Sequence, residues 1–150
     1  MAFKFRLQKL LDYRKEQKKM AEEELARKQK YLQEIEEQLH EIKQQEEQLH
    51  QFHRQQVQKT DLVTLLSMEN YQQLLDEQFY QNYQEFNRAS QDVETKRSTV
   101  VKFWQSCEIL HKLKEKSYQG YLEDEKSRER QANDEVALFN YYKSSESLLF

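Results

Sequence analysis

Apolar residues recur in this chain at alternating spacings of three and four, and the spacing persists through most of its length. In the first half the stripe runs Leu7, Leu11, Arg14, Lys18, Ala21, Leu25, Lys28, Leu32, Ile35, Leu39, Ile42, Glu46, Leu49, His53 and Gln56, nine of the fifteen being apolar. In the second half it runs Gln72, Leu75, Phe79, Asn82, Phe86, Ala89, Val93, Lys96, Val100, Phe103, Cys107, Leu110, Lys114, Ser117 and Tyr121, with ten of fifteen apolar. A seven-residue repeat held this long keeps one stripe of a helix turned toward a partner helix, at the expense of a left-handed supercoil. Gly120 is the only glycine and there is no proline, so little in the chain breaks a helix. The expected fold class is all-α: two long helices in an antiparallel coiled-coil hairpin, the second longer than the first.

The phase breaks around Lys59, Thr60 and Asp61. Thr60 or Asp61 can accept a hydrogen bond from the free N–H groups that open a new helix. This predicts one hairpin over residues 1–150: helix 1 over about 3–57, a turn at 58–63, helix 2 over about 64–143, and a flexible tail at 144–150. With the turn there, residues whose numbers add to 121 face each other: Leu11 with Leu110, Ala21 with Val100, Ile35 with Phe86, Ile42 with Phe79. Both stripes fall into register without adjustment. The same register places Glu24 near Lys96 and Lys28 near Asp92, pairs that disfavour slipped alignments. Helix 2 outruns its partner near Ser117 and leaves a C-terminal overhang. Arg14 and Lys18 fall in the seam opposite Cys107 and Phe103, so the open end of the hairpin is where fraying is expected.

Charged residues make up 34% of the chain and the mean hydropathy is −1.14, so it can cover a narrow seam but not a broad core. The net charge of −3 conceals an asymmetry. Residues 1–20 carry seven basic and two acidic side chains, a net +5, whereas residues 31–50 carry six Glu and one Lys, a net −5. A basic end suits an acidic protein surface or anionic lipid, and an acidic chain as a whole argues against nucleic acid. A lone cysteine, Cys107, forms no internal disulfide and fits a reducing compartment. No run approaches the roughly 18 apolar residues of a membrane span, and the start lacks the continuous apolar region of a secretory signal. A cytoplasmic protein is expected.

Enzymatic chemistry has no residues to stand on. There is no Gly-rich phosphate loop, CxxC or HExxH, and no cofactor is implied. The sequence EEQLH occurs at 36–40 and again at 46–50, giving ExxH pairs Glu37/His40 and Glu47/His50. Di-iron bundles place such pairs on facing helices, whereas here both lie on one helix, so they read as a solvated face. His50 and His53 are no better as a metal pair, and Cys107 reads as a small seam residue. What exceeds the needs of a hairpin is aromatic: Tyr71, Tyr80, Tyr83, Trp104, Tyr118, Tyr141 and Tyr142 lie off the stripe. A tyrosine offers apolar area with a polar tip, which suits an interface.

The opening MAFKFRLQKLLDYR, the NYQQ of Asn70–Gln73, the late KLKEKSYQGYLEDEKSRERQANDEVALF and the heptad helices around a turn near residue 60 together resemble the FliJ family. The likeness spans essentially the whole chain and is closest to the Bacillus-type members. The resemblance implies a non-enzymatic component of the flagellar type III export apparatus, similar to the stalk subunit of rotary ATPases. It implies two partners: the hexameric export ATPase FliI, whose pore the hairpin enters, and the export gate protein FlhA. Export chaperones are further implied partners. It implies work in flagellum assembly, and so motility, at the cytoplasmic face of the cell membrane.

Carried over residue by residue, the family's gate-binding face falls on Leu74, Gln78, Gln81 and Glu85, beside the seam positions Leu75, Phe79, Asn82 and Phe86. Only Leu74 keeps an apolar character there, which shifts the expected surface toward Tyr71 and Tyr83. The ATPase-binding end is expected at Phe3, Phe5, Arg6, Leu7, Lys9, Leu10 and Arg14, on the basic start of helix 1, together with the overhang. Two other readings remain open: the equivalent stalk of a virulence-type secretion system (the YscO-like group), and a cytoplasmic structural or adaptor coiled coil without an ATPase partner.

Overall fold

The computed structural model describes residues 2–56 and 61–149, with side chains through Glu146. The described residues form two helices, α1 (Gln8–Gln56) and α2 (Leu62–Leu149), and no strand. This is the all-α antiparallel hairpin that the repeat calls for, with α2 the longer helix. Contacts divide the chain into two units: Gln17–Phe103, and Met1–Glu16 with Trp104–Phe150.

In the Gln17–Phe103 unit, the buried side chains are Ala21, Ile35, Ile42, Met68, Leu75, Ala89 and Val93. Leu25, Leu32, Leu39, Leu49, Phe79, Phe86, Val100 and Phe103 are half-buried. Leu75, only 2% exposed, sits deepest. Burying such a side chain contributes about 1.5–3 kcal/mol. The ion pairs confirm the alignment: Lys96 Nζ lies 2.8 Å from Glu24 Oε1, and Lys28 Nζ 4.0 Å from Asp92 Oδ2. Lys96, by hydrogen bond and by charge, holds the Glu24 carboxyl below its usual value. Exposed pairs of this kind choose a register more than they add stability. A polar layer interrupts the seam where Gln72 Nε2 donates to Glu46 Oε1 at 3.0 Å and to Asp76 Oδ1 at 3.0 Å. Met68 is buried although the stripe read from sequence began at Gln72; it continues the same spacing four residues earlier.

Asp61 opens α2. Its Oδ1 accepts from the Thr64 N–H at 2.9 Å, and its carbonyl accepts from the Leu65 N–H at 3.1 Å. The carboxylate satisfies a donor that has no partner within the helix, and hydrogen bonding from Thr64 holds the Asp61 carboxyl below its usual value. Leu62 and Val63, expected in the turn, are already helical. Lys59 and Thr60 lie outside the described residues. At the other side of the connection, His53 and Arg54 occupy the last turn of α1, where positive charge suits the helix dipole.

In the other unit, Leu11, Cys107 and Leu110 are buried, and Leu11 has no exposed surface. Here the expected start of helix 1 near residue 3 is corrected: α1 begins at Gln8. The Gln8 N–H bonds the Phe5 carbonyl at 3.2 Å and the Leu11 N–H bonds the Leu7 carbonyl at 2.9 Å. From Ala2 to Leu7 exposed and half-buried residues alternate. The sequence AFKFRL has that same period of two up to the turn at residues 6–7, which the Gln8 N–H bond to the Phe5 carbonyl closes. The expected tail at 144–150 is also corrected, since α2 runs on to Leu149. Neither Gly nor Pro follows Gly120 to end it. Residues 126–144 are all exposed.

Two substitutions test this account. Leu75→Ala should cost about 2–5 kcal/mol, read as a lower denaturant midpoint. A Cβ added at Gly120 meets nothing within 4 Å, so Gly120→Ala should gain about 0.5–1 kcal/mol of helix stability, read as a raised thermal midpoint.

Candidate docking surfaces

Within the Gln17–Phe103 unit, the run from Asn70 to Phe86 turns two faces outward and inward. Leu75, Phe79, Asn82 and Phe86 are buried or half-buried, while Tyr71, Leu74, Gln78 and Gln81 are exposed. The aromatic side chains join the two faces. The Phe79 and Tyr83 rings stack at 6.1 Å, the Tyr83 and Phe86 rings at 6.4 Å, and Lys43 Nζ lies 5.7 Å from the Phe79 centroid. Tyr83 therefore leans on seam rings with one side and meets solvent with the other. Tyr80, which also accepts a hydrogen bond from Gln84 Nε2 at 2.8 Å, is exposed.

Glu85 differs from its neighbours on this face. It is half-buried, and its Oε1 accepts from the Tyr31 hydroxyl of α1 at 2.9 Å. Its Oε2 lies 3.4 Å from Arg88 Nη1. The carboxylate is thus committed to the hairpin itself. The exposed surface is Tyr71, Leu74, Gln78 and Gln81, flanked by Tyr80 and Tyr83. The Tyr31 bond was not read from the sequence, because its two residues lie well off the facing register and meet only through the reach of a tyrosine.

Within the other unit, the N-terminal segment forms a second surface. Phe3 packs edge-on to Tyr118 at 5.3 Å and tilted against Tyr121 at 5.5 Å. Phe5 and Leu7 are half-buried, as is Arg14, while Arg6, Lys9 and Leu10 are exposed. These residues do not all lie on helix 1, where the sequence reading had placed them: Phe3 to Leu7 precede the helix, which begins at Gln8. Lys4, Phe5, Arg6 and Leu7 line a hollow of about 480 Å³ with Leu113 and Ser117 of α2. Further along α2, Val136, Leu138, Phe139, Tyr141 and Tyr142 are exposed. The arrangement offers cations beside apolar surface. Among the described residues no three His, Cys, Asp or Glu side chains are grouped to hold a metal ion, and Cys107 is buried.

A family model described as "Flagellar FliJ protein" matches residues 3–146. No curated protein and no solved structure matches. The matched span takes in the N-terminal segment, all of α1 and nearly all of α2.

The bond between Tyr31 and Glu85 makes a testable pH dependence. Donation to the carboxylate, with some burial, raises the phenol above its usual 10.0. A raised acid is more stable protonated in the folded state, so its contribution is complete below the usual value and disappears as pH rises through the folded one. Stability measured against pH should fall above about pH 10, and Tyr31→Phe should remove part of that fall while lowering stability at neutral pH.

Proposed function

The chain belongs to the FliJ family and is a coiled-coil component of the flagellar protein export apparatus; from that premise we propose that it acts as a stalk. It binds the hexameric export ATPase FliI through its N-terminal segment and C-terminal overhang, and the export gate protein FlhA through the exposed face of α2 from Tyr71 to Gln81. It catalyses nothing itself. It works at the cytoplasmic face of the cell membrane, and export chaperones are further partners.

The observation that carries this reading is the exposed apolar row from Val136 to Tyr142, within a stretch of α2 whose residues 126–144 are all exposed. A helix that presents Val, Leu, Phe and two Tyr to water has surface to bury against a partner. The N-terminal segment of the same unit adds Lys4, Arg6 and Lys9, so the partner's surface is acidic in part. Gate docking rests on the separate tyrosine-flanked face of the other unit.

Hydrolysis by the cognate ATPase, and the number of hexameric rings seen by electron microscopy, should both rise when this protein is added. Reversing charge at Arg6, Lys9 and Arg14 should weaken ATPase binding by at least about tenfold, since like charges set against each other cost several kcal/mol, and leave gate binding intact. Equal loss of both would count against two separate surfaces.

A further inference from the structure

In the unit of Met1–Glu16 and Trp104–Phe150, α2 carries a second stripe beside the seam row of Leu110, Lys114 and Tyr121. Ile109, Leu113 and Lys116 begin it, and Glu135, Leu138 and Tyr142 end it. All six are exposed, Ile109 by 61% and Tyr142 by 64%. Between them the same spacing passes through Gly120, Asp124, Ser127 and Gln131, also exposed. The steps are 4, 3, 4, repeated three times. Such an eleven-residue repeat drifts only slightly around a helix. At 3.6 residues per turn, all these positions fall within an arc of about 100°.

This stripe is complementary to itself. The spacing 4, 3, 4 reads the same in both directions, so a second α2 running antiparallel meets it position by position. When residue numbers add to 251, Ile109 faces Tyr142, Leu113 faces Leu138 and Lys116 faces Glu135, and each pair occurs twice. At the centre Gly120 faces Gln131 and Asp124 faces Ser127. A Cβ at Gly120 would meet nothing within 4 Å, so the face is open there. Charge follows the same alignment. Residues 104–122 carry three Lys against Glu108 and Glu115, a net +1 with histidine neutral, whereas residues 131–142 carry Asp134 and Glu135 and no base, a net −2. An antiparallel pair sets these segments against each other, and a parallel pair would set like charge on like.

We propose that the occupant of this stripe is a second copy of the chain: two α2 helices pair antiparallel about a twofold axis midway between residues 125 and 126. Apolar pairs close both ends of the contact, and the Lys116–Glu135 pairs fix its register. A foreign helix has no reason to repeat this spacing and charge order, whereas a second copy supplies both. The twofold closes the contact at two chains. The pair covers Leu138 and Tyr142, so a paired chain cannot offer them to the ATPase; that consequence alone rests on the stalk reading.

Sedimentation equilibrium of the full chain, with no other protein present, tests it. Between about 1 and 200 µM the mean mass should rise from 18.5 kDa toward twice that value and stop there. Lys116→Glu and Glu135→Lys each set like charges together, and each should raise the dissociation constant at least about tenfold. The double exchange Lys116→Glu/Glu135→Lys restores opposite charges in the same register and should recover most of that loss. Leu113→Ser/Leu138→Ser should leave a monomer, with helicity by circular dichroism unchanged. Leu62→Ser removes an exposed apolar side chain of the other unit and should pair as the natural chain does. A monomer at every concentration would overturn the proposal, as would growth beyond two chains. Pairing that either charge variant leaves unchanged, a double exchange that recovers nothing, or equal loss in Leu62→Ser would overturn it as well. Because neither ATPase nor gate is present, failure here leaves the proposed stalk function untouched.

Discussion

Packing along a single narrow stripe governs nearly everything else in this chain. The buried side chains, Leu11, Ala21, Ile35, Ile42, Met68, Leu75, Ala89, Val93, Cys107 and Leu110, all fall on alternating three- and four-residue spacing. Backbone groups are satisfied within the helices, so the stripe has only to select a partner and a register. It does so with modest burial, and polar side chains are admitted where they bond each other. Gln72 and Glu46 occupy seam positions and share a 3.0 Å hydrogen bond. Such a layer is weaker than an apolar one but tolerates fewer alignments. The pairs Glu24 with Lys96 and Lys28 with Asp92 act in the same direction from the flanks.

Because the stripe is periodic, the hairpin was legible in the sequence. Two phases of one repeat, a capping residue between them and a common facing register sufficed, and Asp61 performs the capping that its residue type allows. What escaped lay where another period or another length scale took over. The segment AFKFRL alternates with a period of two, but its six residues abut a helix whose period is 3.6, and the longer signal masked the shorter. Met68 was missed because the polar Gln72 made the stripe seem to begin later. Tyr31 and Glu85 meet outside the facing pairs, since a phenol reaches across the seam where an aliphatic side chain does not. A tail was expected from residue 144, although no glycine or proline there prevents the helix from continuing to Leu149.

The candidate docking surfaces were legible only in part, and for a physical reason. A seam residue is identified by its spacing, but an exposed residue has no period to obey. Leu74 was named from a resemblance and Tyr71 as an aromatic off the stripe, and both are exposed. Glu85 was named the same way, yet its carboxylate serves Tyr31 and Arg88. Conversely, the ring stack from Phe79 through Tyr83 to Phe86 shows how an aromatic outside the stripe can still contribute to packing. Excess aromatic content therefore counts as docking surface only after the ring contacts have been subtracted. Tyr80 keeps most of its surface after that subtraction, and Tyr83 keeps about half of its own.

The uncovered part of α2 raises the question of why it is a helix at all. Long isolated helices rely on propensity and on side-chain pairs three or four residues apart. Residues 123–139, EDEKSRERQANDEVALF, are rich in Glu, Lys, Arg, Ala and Leu, which are good helix formers. Arg128 Nη1 lies 3.6 Å from Glu125 Oε1 one turn away. The local sequence thus favours the helix where its residues are exposed, and Val136, Leu138 and Phe139 stay open to solvent. Ordering a flexible segment at the moment of binding would cost roughly 1–2 kcal/mol per residue of backbone. A segment already helical avoids most of that cost, so even its modest apolar row can yield useful affinity. The strong helix formers that make this part of α2 look featureless in sequence are what allow its few apolar residues to be effective.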